Sequence, residues 1–504
     1  MQEEQIKPAF KGLSLLIGLA AISLAVSGAF LITRINSLEL YIFLVIGLIG
    51  LVASVWRIEW GLFFLVVMTY ARISDVAVHF YGAPSLAQPF IAFLGLLVLI
   101  RWLVNGEAPR GFLQPTLSIA AYGIVIFLSL IYASDPLRAQ TGLANFLKDA
   151  VIAVMVVLLI QSKDCFRLAI WGFLSVGILL GSIAVYQYLT GSFNNPYWGL
   201  AESQVMNIVN RVEGYRIMGT FLDPNFFAQI MVVIIPLALN RLLYEEKLFH
   251  KFLAIWSLAA SFLTVIFTFS RGGFLALILV LGLIVLWRKP PLVAVLSGLL
   301  ILLLLIPFLP PSYFERIQTI LDYLPFRGSD IRGEVSFRGR LSEYEVGWQM
   351  FTENPILGIG YENFPAYYLD YSTKLGLDPR RTERSAHSLY LEILAEQGLV
   401  GMFFFGLILY SVFKSLTKCR KIFLKIEMQG YADIALAFQI GFIGYLSAAV
   451  FIHGAFPRNL WLLIGMGLGA AQMAVNEEEG ALKAFYKKRL ELGEKAKIKE
   501  NGQP

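Results

Sequence analysis

The chain has 504 residues, 57% of them hydrophobic and 15% charged, with a formal net charge of +6. This is too apolar for a soluble multidomain protein and marks a polytopic membrane protein. Unbroken apolar runs exclude a β-barrel, whose strands alternate polar and apolar residues, and the positive balance reads as membrane topology and attraction to anionic lipid rather than to nucleic acid.

The first apolar run, 13–33, has no separate basic region, apolar core and small-residue cleavage site, so a retained helix is expected rather than a signal peptide. Runs at 252–269, 272–287 and 292–309 each approach the roughly 20 apolar residues that cross a bilayer. Counted along the chain, such runs predict an all-α, polytopic helical bundle of about 12–14 transmembrane helices with a large extramembrane loop that itself contains helices. Segments 68–79 and 149–161 are the interrupted or short members. Cys165 and Cys419 lie far apart on the predicted cytoplasmic side, so no disulfide framework is expected.

Basic residues recur on alternate loops: Arg101 and Arg110, Lys163 and Arg167, Arg241 with Lys247 and Lys251, Arg288 with Lys289, and a cluster over 414–425. The positive-inside rule places these loops in the cytoplasm, with both termini on that side. Five regions follow. N-terminal membrane helices occupy 1–190, and central membrane helices occupy 191–309, including an arginine-bearing loop at 191–223. A large loop spans 310–386, C-terminal membrane helices span 387–475, and a basic tail covers 476–504.

Two segments on the opposite side break the charge rule. In the first, Arg211 and Arg216 lead into Gly219 and Asp223, which suits a helix cap, and Pro224, which suits a first turn. The second carries Arg316, Arg327, Arg332, Arg338, Arg340, Arg380, Arg381 and Arg384 among tyrosines and phenylalanines. Within it, Leu341, Tyr344, Trp348 and Phe351 recur at helical spacing over 340–351, a helix suited to the membrane interface. Arg271 follows Ser270 and precedes Gly272 and Gly273, which places a permanent cation at the outer lip of the bundle.

Each feature has a bland reading. Arginines at helix ends commonly snorkel to headgroups, and those of the long loop commonly pair with carboxylates such as Glu343, Glu345 and Glu362. Gly358 and Gly360 read as a turn. Convergence favours function: Arg216, Arg271 and His387 map to one face, each beside a glycine-bearing helix boundary. Arg211, Asn225, Arg338, Arg340, Tyr361 and Asn363 are further candidates for substrate contact, with Tyr361, Tyr367 and Tyr368 as sugar-stacking rings. No zinc or magnesium pattern is present, so neither metal nor cofactor is expected.

Two guanidiniums can hold a pyrophosphate in forked pairs and stabilise its charge as it leaves. An imidazole beside them can take the proton of an attacking hydroxyl, and neighbouring arginines are expected to keep that imidazole neutral. Three runs resemble the O-antigen ligase and polymerase superfamily: Arg216-Ile-Met-Gly-Thr-Phe-Leu-Asp-Pro-Asn225, Arg271-Gly-Gly-Phe-Leu275 and His387-Ser-Leu-Tyr-Leu-Glu-Ile-Leu-Ala-Glu-Gln-Gly398-Leu-Val-Gly401. The resemblance, carried by 211–401, implies a helical membrane fold and glycan transfer from undecaprenyl pyrophosphate to an acceptor hydroxyl, without a metal. It further implies that Arg216 and Arg271 contact the pyrophosphate and that His387 is the base or positions the acceptor. The reading is ligase-like, with lipid A core as acceptor. A polymerase of O-antigen or exopolysaccharide, with a second glycan as acceptor, is the alternative within the family, and protein O-glycosylation shares the superfamily. The alternative of another class, a transporter of lipid-linked sugars, is disfavoured because no repeat of the Arg271 element and no charged residue in mid-span is expected. Polyprenyl chains are expected against apolar helices around Phe226, Phe227 and Phe404.

Overall fold

The computed structural model describes residues 38–106, 108–208, 211–305, 335–377, 383–454 and 457–500. The first apolar run at 13–33 lies outside them, as do Arg316, Arg327, Arg332, Arg380 and Arg381. Among the described residues there are sixteen α-helices and one two-stranded sheet. The helices are α1 (Leu38–Trp56), α2 (Ile58–Tyr70), α3 (Ile73–Tyr81), α4 (Ala87–Asn105), α5 (Leu113–Ser129), α6 (Pro136–Leu159), α7 (Lys163–Thr190) and α8 (Pro224–Tyr244). They continue with α9 (Leu248–Phe267), α10 (Arg271–Arg288), α11 (Leu292–Leu305), α12 (Val335–Glu353), α13 (Phe364–Leu375), α14 (Leu389–Lys425), α15 (Gln429–Ala448) and α16 (Pro457–Glu500).

Eight of the described helices are long and apolar enough to cross a membrane, or nine if the bent pair α2 and α3, which meet at 50°, is one span. Helices α1 and α5 are apolar but shorter. The chain is a polytopic helical membrane protein.

Helix α8 is the most enclosed span and packs against α9, α10 and α15. An apolar helix buried on all sides has no amphipathic stripe, so polar side chains supply part of the register. The Tyr70 hydroxyl donates to the Ile230 carbonyl at 2.9 Å, and Gln229 Nε2 donates to the Tyr445 carbonyl at 3.0 Å. Because Phe227 is fully buried here and stacks on Phe221, and Phe226 is almost fully buried, neither faces lipid as expected from sequence. Phe404 is only partly buried.

The loops bearing Arg110, Lys163, Arg167, Arg241, Arg288 and Lys425 gather at one end of the bundle. There Arg167 and Arg241 share Glu245, Arg288 meets Asp433, and Lys163, Lys425 and Arg110 meet Glu477, Glu478 and Glu479 on α16. Helix α16 runs on unbroken across the boundary expected at 475/476.

At the other end, β1 (Glu202–Ile208) and β2 (Arg211–Gly219) form an antiparallel hairpin, where a loop was expected, with Arg216 opposite Gln204. Helices α12 and α13 form a small second core with the start of α14, through Val346, Met350, Phe364, Tyr368 and Ala395. On α12, Leu341 and Trp348 remain exposed, so an apolar stripe does face outward.

The central irregularity is in α14, where Gly398 adopts φ 62°, ψ −159° and interrupts the helix. Broken backbone pairs inside an apolar bundle must find other partners, and segment 355–360 provides them. Ile359 and Gly360 donate to the carbonyls of Ala395 and Glu396 at 3.0 and 2.9 Å, and Leu399 and Val400 donate to those of Pro355 and Ile356 at 2.8 and 3.1 Å. A Cβ on Gly398 would lie 2.4 Å from the Ile356 carbonyl. Gly398→Ala is therefore expected to cost at least about 3 kcal/mol, whereas Gly406→Ala, in an open helical position of α14, is expected to be neutral or to stabilise by up to about 1 kcal/mol. Thermal unfolding of the purified full-length variants checks this pair.

Candidate functional site

Arg216 is delivered by β2. Its Nε donates to the Thr268 carbonyl at 2.7 Å and a terminal nitrogen donates to Asn225 Oδ1 at 3.1 Å. The same Oδ1 accepts from Ser270 Oγ at 2.8 Å, and Ser270 caps α10 by accepting the Gly273 N–H at 3.2 Å. Asn225 thus joins the hairpin to the helix that opens with Arg271. Asp223 caps α8 by accepting the Asn225 N–H at 2.6 Å. The glycines after Arg271 allow close packing: a Cβ on Gly273 would lie 2.5 Å from that of Ala228, and one on Gly272 would meet Phe451 at 3.2 Å.

His387 reaches the same end from the start of α14, where Ser388 is the cap. Its backbone takes φ 45°, a left-handed conformation in which histidine is enriched. The Leu389 N–H donates to the Ile452 carbonyl at 2.9 Å. His387 Nδ1 lies 2.8 Å from Glu343 Oε2, while Arg384 lies 2.7 Å from Glu343 Oε1; Glu343 is 1% exposed and His387 31%. The immediate neighbour of the imidazole is therefore a carboxylate, not the arginine expected from sequence. His387 Nδ1 also lies 3.2 Å from the Ser385 carbonyl, and because that carbonyl and the Glu343 carboxylate can only accept, the proton sits on Nδ1 and Nε2 is left as the basic nitrogen.

The rings of His387 and His453 meet edge to face at 5.2 Å, and His453 meets Phe226 at 5.3 Å. Phe226 follows Asn225, the residue that holds Arg216. The structure thus brings the surroundings of Arg216, Arg271 and His387 together, through Asn225, Phe226, Ser270, Phe451 and His453. Burial holds the His453 proton affinity down to about 4, with His387 adding to the effect and Asp223 opposing it.

The remaining candidates fall into three groups. Asn363 is fully buried and bonds the backbone of Asp135 and Tyr361, and Tyr368 is fully buried with its hydroxyl 2.9 Å from Ser342; both are structural, because nothing outside the protein can reach them. Tyr361 lines an internal cavity. Arg211 opens β2, Arg338 and Arg340 lie in α12, and Tyr367 is part-exposed against Tyr371.

Sequence reasoning missed the cavity itself, about 470 Å³, bounded by α2, α3, α5, α6, α8, α13, α14, α15 and α16. Arg72, Asp75, Arg458 and Asp149 form a chain of ion pairs along it at 2.8, 2.8 and 3.6 Å. Asp149 lies near the middle of α6, and Glu392 and Glu396 lie within α14, so charged residues do occur inside spans, contrary to expectation. The i, i+4 spacing of the two glutamates after His387 was a readable sign that they share a helix face.

The family model described as O-antigen ligase matches residues 256–406. Over these residues, less than a third of the chain, the protein is similar to O-antigen ligases. The O-antigen ligase match holds Arg271, Glu343, Arg384 and His387, while Arg72, Arg216, His453 and Arg458 lie outside it. No curated protein sequence matches the chain. Among solved structures, a chain from a peptidoglycan synthase complex that coordinates polymerization and crosslinking aligns at 16% identity, with TM-score 0.35, over 72% of this chain and 97% of its own.

A histidine whose proton affinity is lowered on folding binds fewer protons folded than unfolded between about pH 6.5 and 4. Stability therefore rises with pH across that window and falls as it is acidified. Replacing His453 with Gln in this O-antigen ligase relative should flatten the pH dependence of the unfolding temperature between pH 6.5 and 4; an unchanged slope would show that His453 is not the responsible group.

Proposed function

We propose that the chain moves a glycan from undecaprenyl pyrophosphate to an acceptor hydroxyl, in the manner of an O-antigen ligase. The O-antigen ligase match over residues 256–406 supports a membrane glycosyltransferase of the ligase and polymerase type. The observation that carries the finer reading is the junction at one end of the bundle, where Arg216 and the Arg271 helix share Asn225 and His387 stands on a buried Glu343.

In the proposed reaction His387 Nε2 takes the proton of the acceptor hydroxyl as its oxygen bonds to the donor's anomeric carbon. The bond from that carbon to the pyrophosphate oxygen breaks with its electron pair, and the lipid diphosphate leaves. Arg216 and Arg271 hold the growing charge, in place of a metal. A cation in the first turn of α10 opposes the helix dipole, an arrangement an incoming anion would relieve. Below Arg271, the exposed Leu275, Ile278 and Leu279 offer an apolar track for the prenyl chain. The basic end of the bundle is assigned to the cytoplasm of the inner membrane by the positive-inside rule, which sets the His387 end on the outer face.

His387→Ala should abolish transfer without loss of membrane insertion, and Arg271→Lys should lower it on the order of 100-fold, because an ammonium lacks the planar fork. Glycan ladders from a deletion strain carrying each variant are the readout; ladders like wild type would remove these assignments. Glu343→Gln should lower kcat by about 100-fold or more with little change in donor KM, since an amide no longer selects the tautomer with Nε2 free. Purified protein given undecaprenyl-pyrophosphate glycan with either core lipid or a second carrier-linked glycan separates ligase from polymerase, and movement of the donor across the bilayer without transfer would mark a transporter.

A further inference from the structure

Beyond His453, the mouth of the cavity carries a cation that the reaction scheme leaves unused. Lys148 belongs to α6, a membrane span, yet it is exposed and lines the cavity. Among the described residues its ammonium meets no carboxylate and donates to Asn145 Oδ1 at 3.3 Å. An ionisable side chain inside a span is costly and marks a functional site by default. Its level is set by Arg458, which stands in the first turn of α16 with Nε 3.6 Å from Asp149, the residue after Lys148. Lys148 therefore lies near the start of α16, at the same end of the bundle as His453 and the arginine junction, within reach of lipid phosphates on that side.

The lining carboxyls do not cancel this charge. Arg72 and Arg458 are matched by Asp75 and Asp149, which leaves the charge of Lys148 over. Glu392 accepts the Gly454 N–H at 2.7 Å, Glu396 accepts those of Glu362 and Phe364 at 2.8 and 2.9 Å, and burial raises the proton affinity of Glu362. Arg458 is 45% exposed and gives one terminal nitrogen to Asp75 at 2.8 Å; among the described residues its other terminal nitrogen has no partner. An ammonium and a free guanidinium N–H at one mouth suit phosphate oxygens, which accept from both. The exposed Leu147 and Val151 share the outward face of α6 with Lys148. A soluble anion makes no use of that apolar stripe, whereas a lipid lays its phosphate on the nitrogens and its chains along the stripe.

We propose that Lys148 and Arg458 form a site for a phosphate-bearing lipid, the anchor of a membrane-borne acceptor, apart from the grip on the donor diphosphate. Neither Arg216 nor Arg271 lines this cavity, while His453, in ring contact with His387, does. The role as acceptor anchor rests on the reading above, in which the donor diphosphate occupies Arg216 and Arg271; the binding of a lipid phosphate does not rest on it.

Photolabelling of the full-length protein in phosphatidylcholine nanodiscs tests the site, with phosphatidic acid carrying a diazirine near the head of one acyl chain as the probe. Label should fall on the α6 peptide around Leu147 and Val151, at least fivefold above that from the matching diacylglycerol, which lacks the phosphate, and should persist under excess inorganic phosphate. Lys148→Gln should lower it at least fivefold and Lys148→Arg should keep it, with label on α9 around the exposed Ile255 as the internal standard. Leu147→Glu, which sets a repelling charge beside Lys148, should lower it as well and covers the case in which Lys148→Gln does not fold. Equal labelling by the diacylglycerol would show generic lipid contact, displacement by inorganic phosphate would show a soluble-anion site, and unchanged labelling in folded Lys148→Gln would place the headgroup elsewhere; each overturns the site. In transfer assays Lys148→Gln should raise the acceptor KM by about tenfold with donor KM little changed, and any other pattern would overturn the acceptor assignment. Selective labelling of a wild type that transfers no glycan would overturn the proposed reaction and leave the lipid site standing.

Discussion

The interaction on which the site depends is the repair of the break in α14. A helix inside an apolar bundle cannot leave carbonyls and N–H groups unmet, so the interruption at Gly398 obliges segment 355–360 to lie against it and exchange four backbone hydrogen bonds. Glu396 extends the seam, accepting the backbone N–H groups of Glu362 and Phe364 at 2.8 and 2.9 Å. Helices α12 and α13 flank that segment, so the seam sets their position over the bundle. Glu343 reaches His387 from α12 because the backbone hydrogen bonding around Gly398 leaves α12 little freedom to lie elsewhere.

Charges in this bundle occur as compact networks: Arg241, Glu245 and Arg167 at one end; Arg72, Asp75, Arg458 and Asp149 along the cavity; Arg384, Glu343 and His387 beside it. Buried ion pairs add little net stability over apolar packing, yet loss of one partner strands the other at several kcal/mol. Such networks therefore fix geometry more than they strengthen the fold. The Arg72 network also reaches the hairpin, since Arg72 donates to the Thr220 carbonyl at 2.9 Å, five residues before Asn225. The cavity and the arginine junction are in this way parts of one rigid arrangement.

What was legible in the sequence was what depends on local spacing. Asp223 and Pro224 start α8, Gly358 and Gly360 form a turn with φ of 69° and 109°, and a loop arginine does pair with Glu343. The approach of Arg216, Arg271 and His387 to one end could be inferred from alternation of spans. The hairpin was not legible, because Gly214 and the polar Asn207 and Asn210 blur its alternation, although Val205, Ile208, Val212 and Ile217 favour a strand. The inward face of α8 was not legible either, since a helix apolar on every side carries no period, and Phe227 could equally have faced lipid. Asp149, Arg458 and Asn459 come from distant parts of the chain, and only tertiary packing makes them walls of one cavity.

Two imidazoles in edge contact invite the question of which one handles the proton. His453 has no protein partner for Nδ1 among the described residues, and its burial favours the neutral form down to about pH 4. A proton taken there at neutral pH would face that desolvation, which Asp223 offsets only in part. His387 is partly exposed and backed by Glu343, which makes it the base in the proposed transfer. In the proposed reaction His453, neutral at neutral pH, would add no positive charge to the ring beside it.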